Sequence, residues 1–415
     1  MYGLIGKSLK HSLSPQIHHL FGNPSYSLFE TENLEKLLQD YPWKGFNVTI
    51  PYKEAILPYL TRLEGAAKET QSVNTVLKQG DEWVGYNTDV YGFQKLLEHY
   101  QIEVSGKQVV ILGNGGAAKS VKYVLNQFGA QTTTLARHPL DSSEVELNSL
   151  DTMPFCDIIV HTTPVGMYPG NAAECLIDFK KFPKATIAID LIYNPLRSSF
   201  LLEAQAHGLT IINGLYMLVA QAAAAHGLFF HEVVPTEIVE KTYRTIKRQI
   251  TNIVLVGMPL SGKSKFARIL SQSHEKQLVD TDETIEFIAR KKISDIFETE
   301  GEATFRRMER NLIESLYPSH NMVISTGGGM IEDDLSMRRL RQNGVVVFLD
   351  KDVENIASQT IRNRPLIQSS KDVYALYERR LPKYIQYADE RVHIVSDTKT
   401  HTEEIEAKLH EYFSH

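Results

Sequence analysis

The sequence predicts an α/β chain built on mostly parallel sheets, divided into more than one domain. Short runs rich in Val, Ile and Leu alternate with longer helical stretches along most of its length. Two glycine-rich loops each stand between such a run and a helical stretch. The 415 residues exceed one ordinary domain, since at roughly 100–200 residues per domain the length asks for two to four.

In chain order, residues 1–5 and 45–50 read as strands, and a helix is expected over about residues 90–100, after Gly85-Tyr86-Asn87-Thr88-Asp89. A cleaner unit opens at Gly106: strand 107–112, glycine turn 113–116, helix 117–128, then strands 131–135, 157–162 and 186–190. A long helix is expected from Asn213 onward, and the charged helix EIVEKTYRTIKRQI lies in the connector 231–250. A second α/β pattern begins at Asn252, with strands 253–256, 278–280, 323–326 and 345–349. No repeat relates the two halves.

Composition narrows the class. At 42% hydrophobic and 23% charged the chain is neither disordered nor collagen-like. Residues 1–245 carry 19 basic and 24 acidic side chains, the remainder 25 and 26, so neither half is a basic nucleic-acid binder. The two cysteines, Cys156 and Cys175, exclude a disulfide framework and a thiolate zinc site and fit a reducing cytoplasm. The N-terminus has no secretory pattern. Residues 204–231 lack Asp, Glu, Lys and Arg, but Asn213, Gln221, His207, His226 and several glycines interrupt them. A buried helix is expected there, not a membrane span.

The first glycine loop, Gly113-Asn114-Gly115-Gly116-Ala117-Ala118, follows Val109-Val110-Ile111-Leu112 and opens a helix. This is the dinucleotide fingerprint in its required context. The first glycine makes the turn, the second lets backbone approach a pyrophosphate, and the small third residue lets helix and strand pack. The next strand ends Ala136-Arg137-His138, with no acid for a ribose 2′-hydroxyl. Arg137 can meet a 2′-phosphate, which points to NADP.

Around this unit lie His11-Ser12-Leu13-Ser14-Pro15, Asn47-Val48-Thr49-Ile50-Pro51-Tyr52-Lys53, Ser72-Val73-Asn74-Thr75, Gly85-Tyr86-Asn87-Thr88-Asp89 and Gly214-Leu215-Tyr216-Met217-Leu218-Val219-Ala220-Gln221. Together with the glycine loop, this ordered series resembles shikimate dehydrogenase over about residues 1–240. The resemblance implies hydride transfer from NADPH to the ketone of 3-dehydroshikimate, with Lys53 protonating the oxyanion and Asp89 orienting it. It assigns Ser12, Ser14, Thr49, Asn74, Tyr193 and Gln221 to the substrate. Gly113, Asn114, Gly115, Gly116, Ala117, Arg137, Leu191 and Gly214 go to the cofactor. The residue types suit a small polyhydroxy carboxylate: Ser12 and Ser14 can both donate to a carboxylate, and Thr49, Asn74 and Gln221 to ring hydroxyls. Two departures from the family stand out. The stretch between Ser14 and Asn47 is short, so one α/β unit is expected to be trimmed. In the cofactor loop Ala136, His138 and Asp141 leave Arg137 alone, where the family carries Asn-Arg-Ser/Thr and a further basic residue.

The second glycine loop, Gly257-Met258-Pro259-Leu260-Ser261-Gly262-Lys263-Ser264, is a P-loop between strand and helix. Its amides cradle phosphates, Lys263 reaches the β/γ-phosphates, and Ser264 ligates Mg²⁺. Asp280-Thr281-Asp282, Gly301-Glu302-Ala303-Thr304-Phe305-Arg306, Gly327-Gly328-Gly329, Arg362-Asn363-Arg364-Pro365-Leu366 and Glu378-Arg379-Arg380-Leu381-Pro382-Lys383-Tyr384 follow. This set resembles shikimate kinase over about residues 250–412. The resemblance implies that Asp280 holds magnesium through water and that Asp282 accepts or orients the attacking hydroxyl. Arg306 and Arg380 clamp the substrate carboxylate beside Gly327, Gly328 and Gly329. Arg364, with Arg362, belongs to a lid over the transferring phosphate. ATP contacts are expected from Gly257, Pro259, Leu260, Ser261, Gly262, Lys263, Ser264 and Arg364. Leu260 and Ser261 stand where the family often has Gly-Ala.

The expected architecture is therefore a substrate-binding α/β part (1–100 with 213–240), a Rossmann NADP domain (101–212), a linker (241–250) and a P-loop kinase domain with a parallel sheet (251–415). The implied activity is a bifunctional enzyme of the shikimate pathway using NADPH, ATP and Mg²⁺ on small-molecule substrates, with no nucleic-acid or membrane partner. Two alternatives stay open: a kinase with a non-catalytic dehydrogenase-like scaffold, and oxidation of quinate or shikimate with NAD.

Overall fold

Three sheets carry the fold. The computed structural model describes residues 1–147, 153, 155–170, 175–358, 369–395 and 398–414. Two units divide it, Met1–Ile246 with two sheets and Lys247–His415 with one.

The first sheet holds β1 (Gly3–Gly6), β2 (Ser27–Glu30), β3 (Gly45–Val48), β4 (Arg62–Leu63), β5 (Thr75–Gln79) and β6 (Glu82–Tyr86), in the order β2-β1-β3-β5-β6-β4. Helices α1 (Ser14–Leu20), α2 (Leu34–Asp40), α3 (Tyr52–Ala55), α4 (Ala66–Thr70) and α5 (Thr88–His99) connect and follow these strands. No α/β unit is trimmed between Ser14 and Asn47. The stretch is short because α1 and α2 are seven residues each, about two turns.

The second sheet is wholly parallel: β7 (Gln108–Leu112), β8 (Gln131–Ala136), β9 (Glu144–Glu146), β10 (Ile158–His161), β11 (Ile187–Asp190) and β12 (Thr210–Asn213). Its order is β12-β11-β10-β7-β8-β9, so the winding reverses between β7 and β10. Helices α6 (Gly116–Gln127), α7 (Ser199–Ala206), α8 (Leu215–Phe230) and α9 (Thr236–Ile250) complete this part of the chain. The charge-free stretch noted in the sequence becomes α7, β12 and α8. Ten of the sixteen residues of α8 are buried, which explains an apolar character on all sides. No described helix is long and apolar enough to cross a membrane.

The third sheet, β13 (Asn252–Val256), β14 (Gln277–Asp280), β15 (Met322–Ser325), β16 (Gly344–Lys351) and β17 (Glu390–Ile394), is also parallel, ordered β14-β15-β13-β16-β17. Its helices are α10 (Lys263–Ser273), α11 (Thr281–Ala289), α12 (Ile293–Glu300), α13 (Glu302–Leu316), α14 (Asp334–Asn343), α15 (Val353–Ala357), α16 (Ser370–Tyr387) and α17 (Thr398–Ser414). Strands β13 and β16 are apolar on both faces because both are covered. Val254, Val256, Val346 and Phe348 enter one core, while Ile253, Leu255, Val345 and Val347 enter the other. Each such side chain contributes about 1.5–3 kcal/mol on leaving water.

Helices α5 and α8 cross where Gly92 admits the backbone of α8: a Cβ at Gly92 would lie 2.7 Å from Met217 O and 2.9 Å from Gln221 Cβ. Gly92→Val should therefore cost about 1–3 kcal/mol or more through overpacking. In calorimetry only the transition of residues 1–246 should move down; equal displacement of both transitions would refute this reading.

Candidate active sites

Strand direction decides where the first site forms. β3 runs parallel to β1, β5 antiparallel to β3, and β6 antiparallel to β5. The ends of β1, β3 and β6 and the start of β5 therefore share one edge. Ser12 and Ser14 follow β1, Thr49 and Lys53 follow β3, Asn74 precedes β5, and Asp89 follows β6.

At that edge Lys53 Nζ lies 2.5 Å from Asp89 Oδ2. Asp89 is not the N-cap of α5; Asn87 is, its side chain accepting from Asp89 N at 3.1 Å. The Asp89 carboxylate thus sits in the first turn of α5, where the helix dipole favours an anion, and remains available to Lys53. Its Oδ1 accepts from Asn74 Nδ2 at 2.9 Å, and Asn74 Oδ1 accepts from Thr88 N at 2.7 Å. Gln221, reaching in from α8, accepts from Asn74 Nδ2 at 3.3 Å. Lys53, Asn74, Asp89 and Gln221 are thereby one cluster. Ser12, Ser14 and Thr49 stand at the same edge, but among the described residues no hydrogen bond joins their side chains to it. Sequence reasoning missed Asn47 and Asn87. Asn47 takes Tyr26 OH at 2.6 Å and donates to Thr75 Oγ1 at 2.8 Å; Asn87 donates to Ser120 Oγ on α6 at 2.9 Å.

The glycine loop abuts this cluster. A Cβ at Gly116 would lie 2.7 Å from Ser72 Oγ and 3.3 Å from Lys53 Cβ. The Ser72 hydroxyl is buried without a hydrogen-bond partner among the described residues. Gly113 has φ +107°, a conformation that suits glycine, and its Cβ position is blocked by Thr163 and Thr162 at 2.7 and 2.9 Å. Gly115 faces open space, with nothing within 4 Å of a Cβ built there. Asn114 lies between them and Ala117 in the first turn of α6. An open glycine, a positive-φ turn and a helix N-terminus are the elements a dinucleotide pyrophosphate needs, so these residues fit one. Leu191 and Gly214 meet at the same sheet edge: a side chain at Gly214 would collide with the Leu191 carbonyl, and Gly214 N donates to Ile192 O at 3.1 Å. Tyr193 follows, its phenol pushed up to about 12 by burial. Arg137 is exposed after β8. Beneath them a buried network unsignalled in the sequence pins the loops. His161 Nδ1 is 2.9 Å from Asp190 Oδ1, which also accepts from Ile192 N at 3.0 Å, and Ser198 Oγ donates to Asp190 Oδ2.

The second site surrounds the P-loop. Gly257, Leu260 and Gly262 all have positive φ, at +153°, +65° and +95°. Leu260 therefore occupies a conformation that L side chains rarely adopt and that glycine suits better. Lys351 Nζ holds the Leu260 carbonyl at 3.1 Å. Pro259 and Ser261 are buried, and among the described residues Ser261 Oγ has no hydrogen-bond partner. Lys263 Nζ donates to Gly257 O at 3.0 Å and Met258 O at 2.9 Å, beside the loop's amides. Ser264 Oγ donates to Asp280 Oδ2 at 2.6 Å, while Asp280 Oδ1 caps α11 through Asp282 N at 3.1 Å. Among the described residues no group of three or more His, Cys, Asp or Glu is placed to hold a metal.

The glycine run lies against this loop. A Cβ at Gly328 would be 3.0 Å from Pro259, one at Gly327 2.7 Å from Asp282 Oδ1 and 2.8 Å from Glu309 Oε1, and one at Gly329 would collide with the Arg306 guanidinium. Asp282, Arg306, Pro259 and the three glycines are thus one site. Glu309 is a member that sequence reasoning missed, although it lies one helical turn after Arg306 on α13. Its Oε2 accepts from Arg306 Nη1 at 2.6 Å; its Oε1 has no hydrogen-bond partner among the described residues. Burial pushes its carboxyl up to about 7, against the opposing pull of Arg306 and with help from Asp282. Arg380, 2% exposed, also bears on Glu309 and donates through Nε and Nη2 to Glu332 Oε2 at 2.9 and 2.7 Å. Burial alone would raise Glu332, but Arg380 and Arg379 hold it below the usual carboxylate range. Arg362 and Arg364 lie outside the described residues.

Comparison with known proteins accords with both halves. Residues 4–76 match the family model of the shikimate dehydrogenase substrate binding domain, and residues 259–413 match shikimate kinase. A shikimate dehydrogenase (NADP(+)) of Clostridium perfringens is 34% identical over 267 residues, covering 60% of this chain and 98% of its own. That of Caldicellulosiruptor saccharolyticus is 39% identical over 254 residues, covering 55% and 91%. Among solved structures, a chorismate mutase/shikimate 5-dehydrogenase fusion protein from Clostridium acetobutylicum aligns with TM-score 0.55 at 34% identity, over 59% of this chain and 96% of that one. The shikimate 5-dehydrogenase of Thermus thermophilus, solved with NADP(H) and shikimate, aligns with TM-score 0.52 at 31% identity, over 59% and 98%. The chain therefore belongs to the shikimate dehydrogenase family in its first unit and carries a shikimate kinase domain in its second.

Proposed function

We propose that the chain performs two consecutive reactions: reduction of 3-dehydroshikimate to shikimate with NADPH, then phosphorylation of the new 3-hydroxyl with ATP. The observation that carries this reading is the Lys53–Asp89 pair set against the glycine loop at Gly116.

Bound NADPH supplies the hydride that reaches the ketone carbon. Lys53 Nζ gives a proton to the carbonyl oxygen as negative charge develops there, leaving an alcohol. Asp89 holds the ammonium through Oδ2 and is itself fixed by Asn74 through Oδ1. Ser12 and Ser14 donate to the substrate carboxylate; Thr49, Asn74, Tyr193 and Gln221 take its hydroxyls.

In the second site ATP supplies the phosphoryl group. Lys263 exchanges the loop carbonyls for phosphate oxygens, and the amides of residues 257–264 cradle the rest. Ser264 and Asp280 offer the hard oxygen donors that suit Mg²⁺. Asp282 accepts the proton of the attacking hydroxyl. Arg306 and Arg380 take the carboxylate, Gly327, Gly328 and Gly329 let the ring lie close, and Arg364 closes on the transferring phosphate. Glu309 Oε1, without a partner among the described residues, accepts from a ring hydroxyl. A reducing cytoplasm agrees with a chain that carries two cysteines, Cys156 and Cys175.

One incubation with 3-dehydroshikimate, NADPH and Mg-ATP, followed by mass spectrometry, should yield shikimate 3-phosphate with matched NADPH loss. Phosphorylation of added shikimate without NADPH loss would favour the scaffold alternative. Lys53→Ala should lower reduction by about 10²–10⁴-fold, the range of a lost general acid, and spare phosphorylation. Lys263→Ala should do the reverse. Loss of both activities from either change, in folded protein, would defeat the two-site reading.

Glu309 gives a stability prediction. The folded chain binds its proton at about 7, above the ordinary 4.5. Its contribution is therefore fully present below pH 4.5 and is lost as pH rises to 7. Glu309→Gln should flatten the fall in the unfolding midpoint of residues 247–415 across that window; an unchanged slope would mean that the carboxyl titrates normally.

A further inference from the structure

We infer that Glu144 sets the discrimination between phosphorylated and unphosphorylated dinucleotides, opposing Arg137. The inference rests on the reading of the first glycine loop as a nicotinamide dinucleotide site.

In a doubly wound sheet the adenosine ribose lies between the glycine loop after the first strand and the end of the second. An acid there accepts from a 2′-hydroxyl, and an arginine there meets a 2′-phosphate. Strand β8 ends in Ala136-Arg137 with no acid. The fold brings one from elsewhere. Glu144 opens β9, the parallel neighbour of β8, with Glu144 opposite Thr134 and Glu146 opposite Ala136.

Its carboxylate turns to the cofactor loop. Oε2 accepts from Asn114 Nδ2 at 2.9 Å and from Leu140 N at 2.9 Å. Asn114 stands between Gly113 and Gly115, and it also donates to His138 O at 3.0 Å. The acid is therefore lodged in the crook of the loop after β8, against the turn that receives the dinucleotide. Its Oε1 accepts no hydrogen bond among the described residues, so one oxygen is left for a 2′-hydroxyl. Arg137 is exposed and makes no hydrogen bond or ion pair among the described residues, so it is free for a 2′-phosphate. The two side chains pull in opposite directions. A 2′-phosphate gains the guanidinium and is repelled by the carboxylate; a 2′-hydroxyl gains the carboxylate and has no use for the guanidinium. The preference for NADPH over NADH in this chain is consequently small, and it is held down by Glu144.

The test titrates the full chain with NADPH and with NADH, reading cofactor fluorescence without substrate, and then measures kcat/KM with both. Glu144→Gln keeps an acceptor for Asn114 and Leu140 while removing the charge. It should raise the NADPH:NADH ratio of affinities about tenfold, the scale of one nearby charge in partly screened surroundings. Arg137→Ala should lower that ratio. If Glu144→Gln is poorly folded, Glu144→Thr, suited to a strand, replaces it with the same expected direction. A ratio within about twofold of the parent, in a folded variant, overturns the inference. A parent chain that binds neither cofactor overturns the dinucleotide reading, and this inference with it.

Discussion

Three buried asparagine side chains, Asn47, Asn74 and Asn87, hold the first site together. A side-chain amide both donates and accepts, and burying one is favourable only when both halves are paired. Asn47 ties Tyr26 to the start of β5. Asn74 ties that start to the first turn of α5, to Asp89 and to Gln221. Asn87 caps α5 and reaches Thr70 and Ser120, so the helix that follows the glycine loop is braced against the helix that carries Asp89. The Lys53–Asp89 pair is thereby placed relative to the cofactor loop. Chemistry between two bound molecules depends on this placement, because a group 1 Å out of position loses most of its effect.

The second site is organised by charge instead of amides. Its arginines are already paired before any substrate arrives: Arg306 with Glu302 and Glu309, Arg380 with Glu332. A buried guanidinium needs such a partner, since an uncompensated buried charge is far more costly than a paired one. Glu332 takes the Nε–Nη2 side of Arg380 and leaves Nη1 out of that pair. The P-loop is shaped by backbone torsion, with three positive φ values in six residues. One falls on Leu260, whose side chain packs at the edge of the core and whose carbonyl Lys351 secures.

Much of this was legible in the chain. Strands β7, β13 and β16 are runs of apolar residues because both faces of a parallel sheet are covered, and such runs stand out. The two glycine loops were readable because positive φ and close backbone approach leave a compositional trace. Lys53, Asp89, Asp282 and Arg306 stand out as candidates because they lie in spaced motifs. The short α1 and α2 misled, since a stretch that looked too brief for a whole α/β unit contains one made of two-turn helices. Asp89 could equally have been a helix cap; only the observed hydrogen bond of Asn87 frees it.

Glu144, Glu332 and the His161–Asp190 pair had no local signal. An acid in a polar segment looks like any solvated acid, and its surroundings come from residues distant in the chain. Glu144 meets Asn114 thirty residues away because β9 happens to pair with β8; Glu332 meets Arg380 across forty-eight residues. By itself the sequence determined the fold class, the two nucleotide loops and the residue types of both sites, because these follow from local periodicity and backbone requirements. The tertiary structure alone decided which charges distant in the chain face each other, because such pairing depends on strand order and helix packing, which no local pattern encodes.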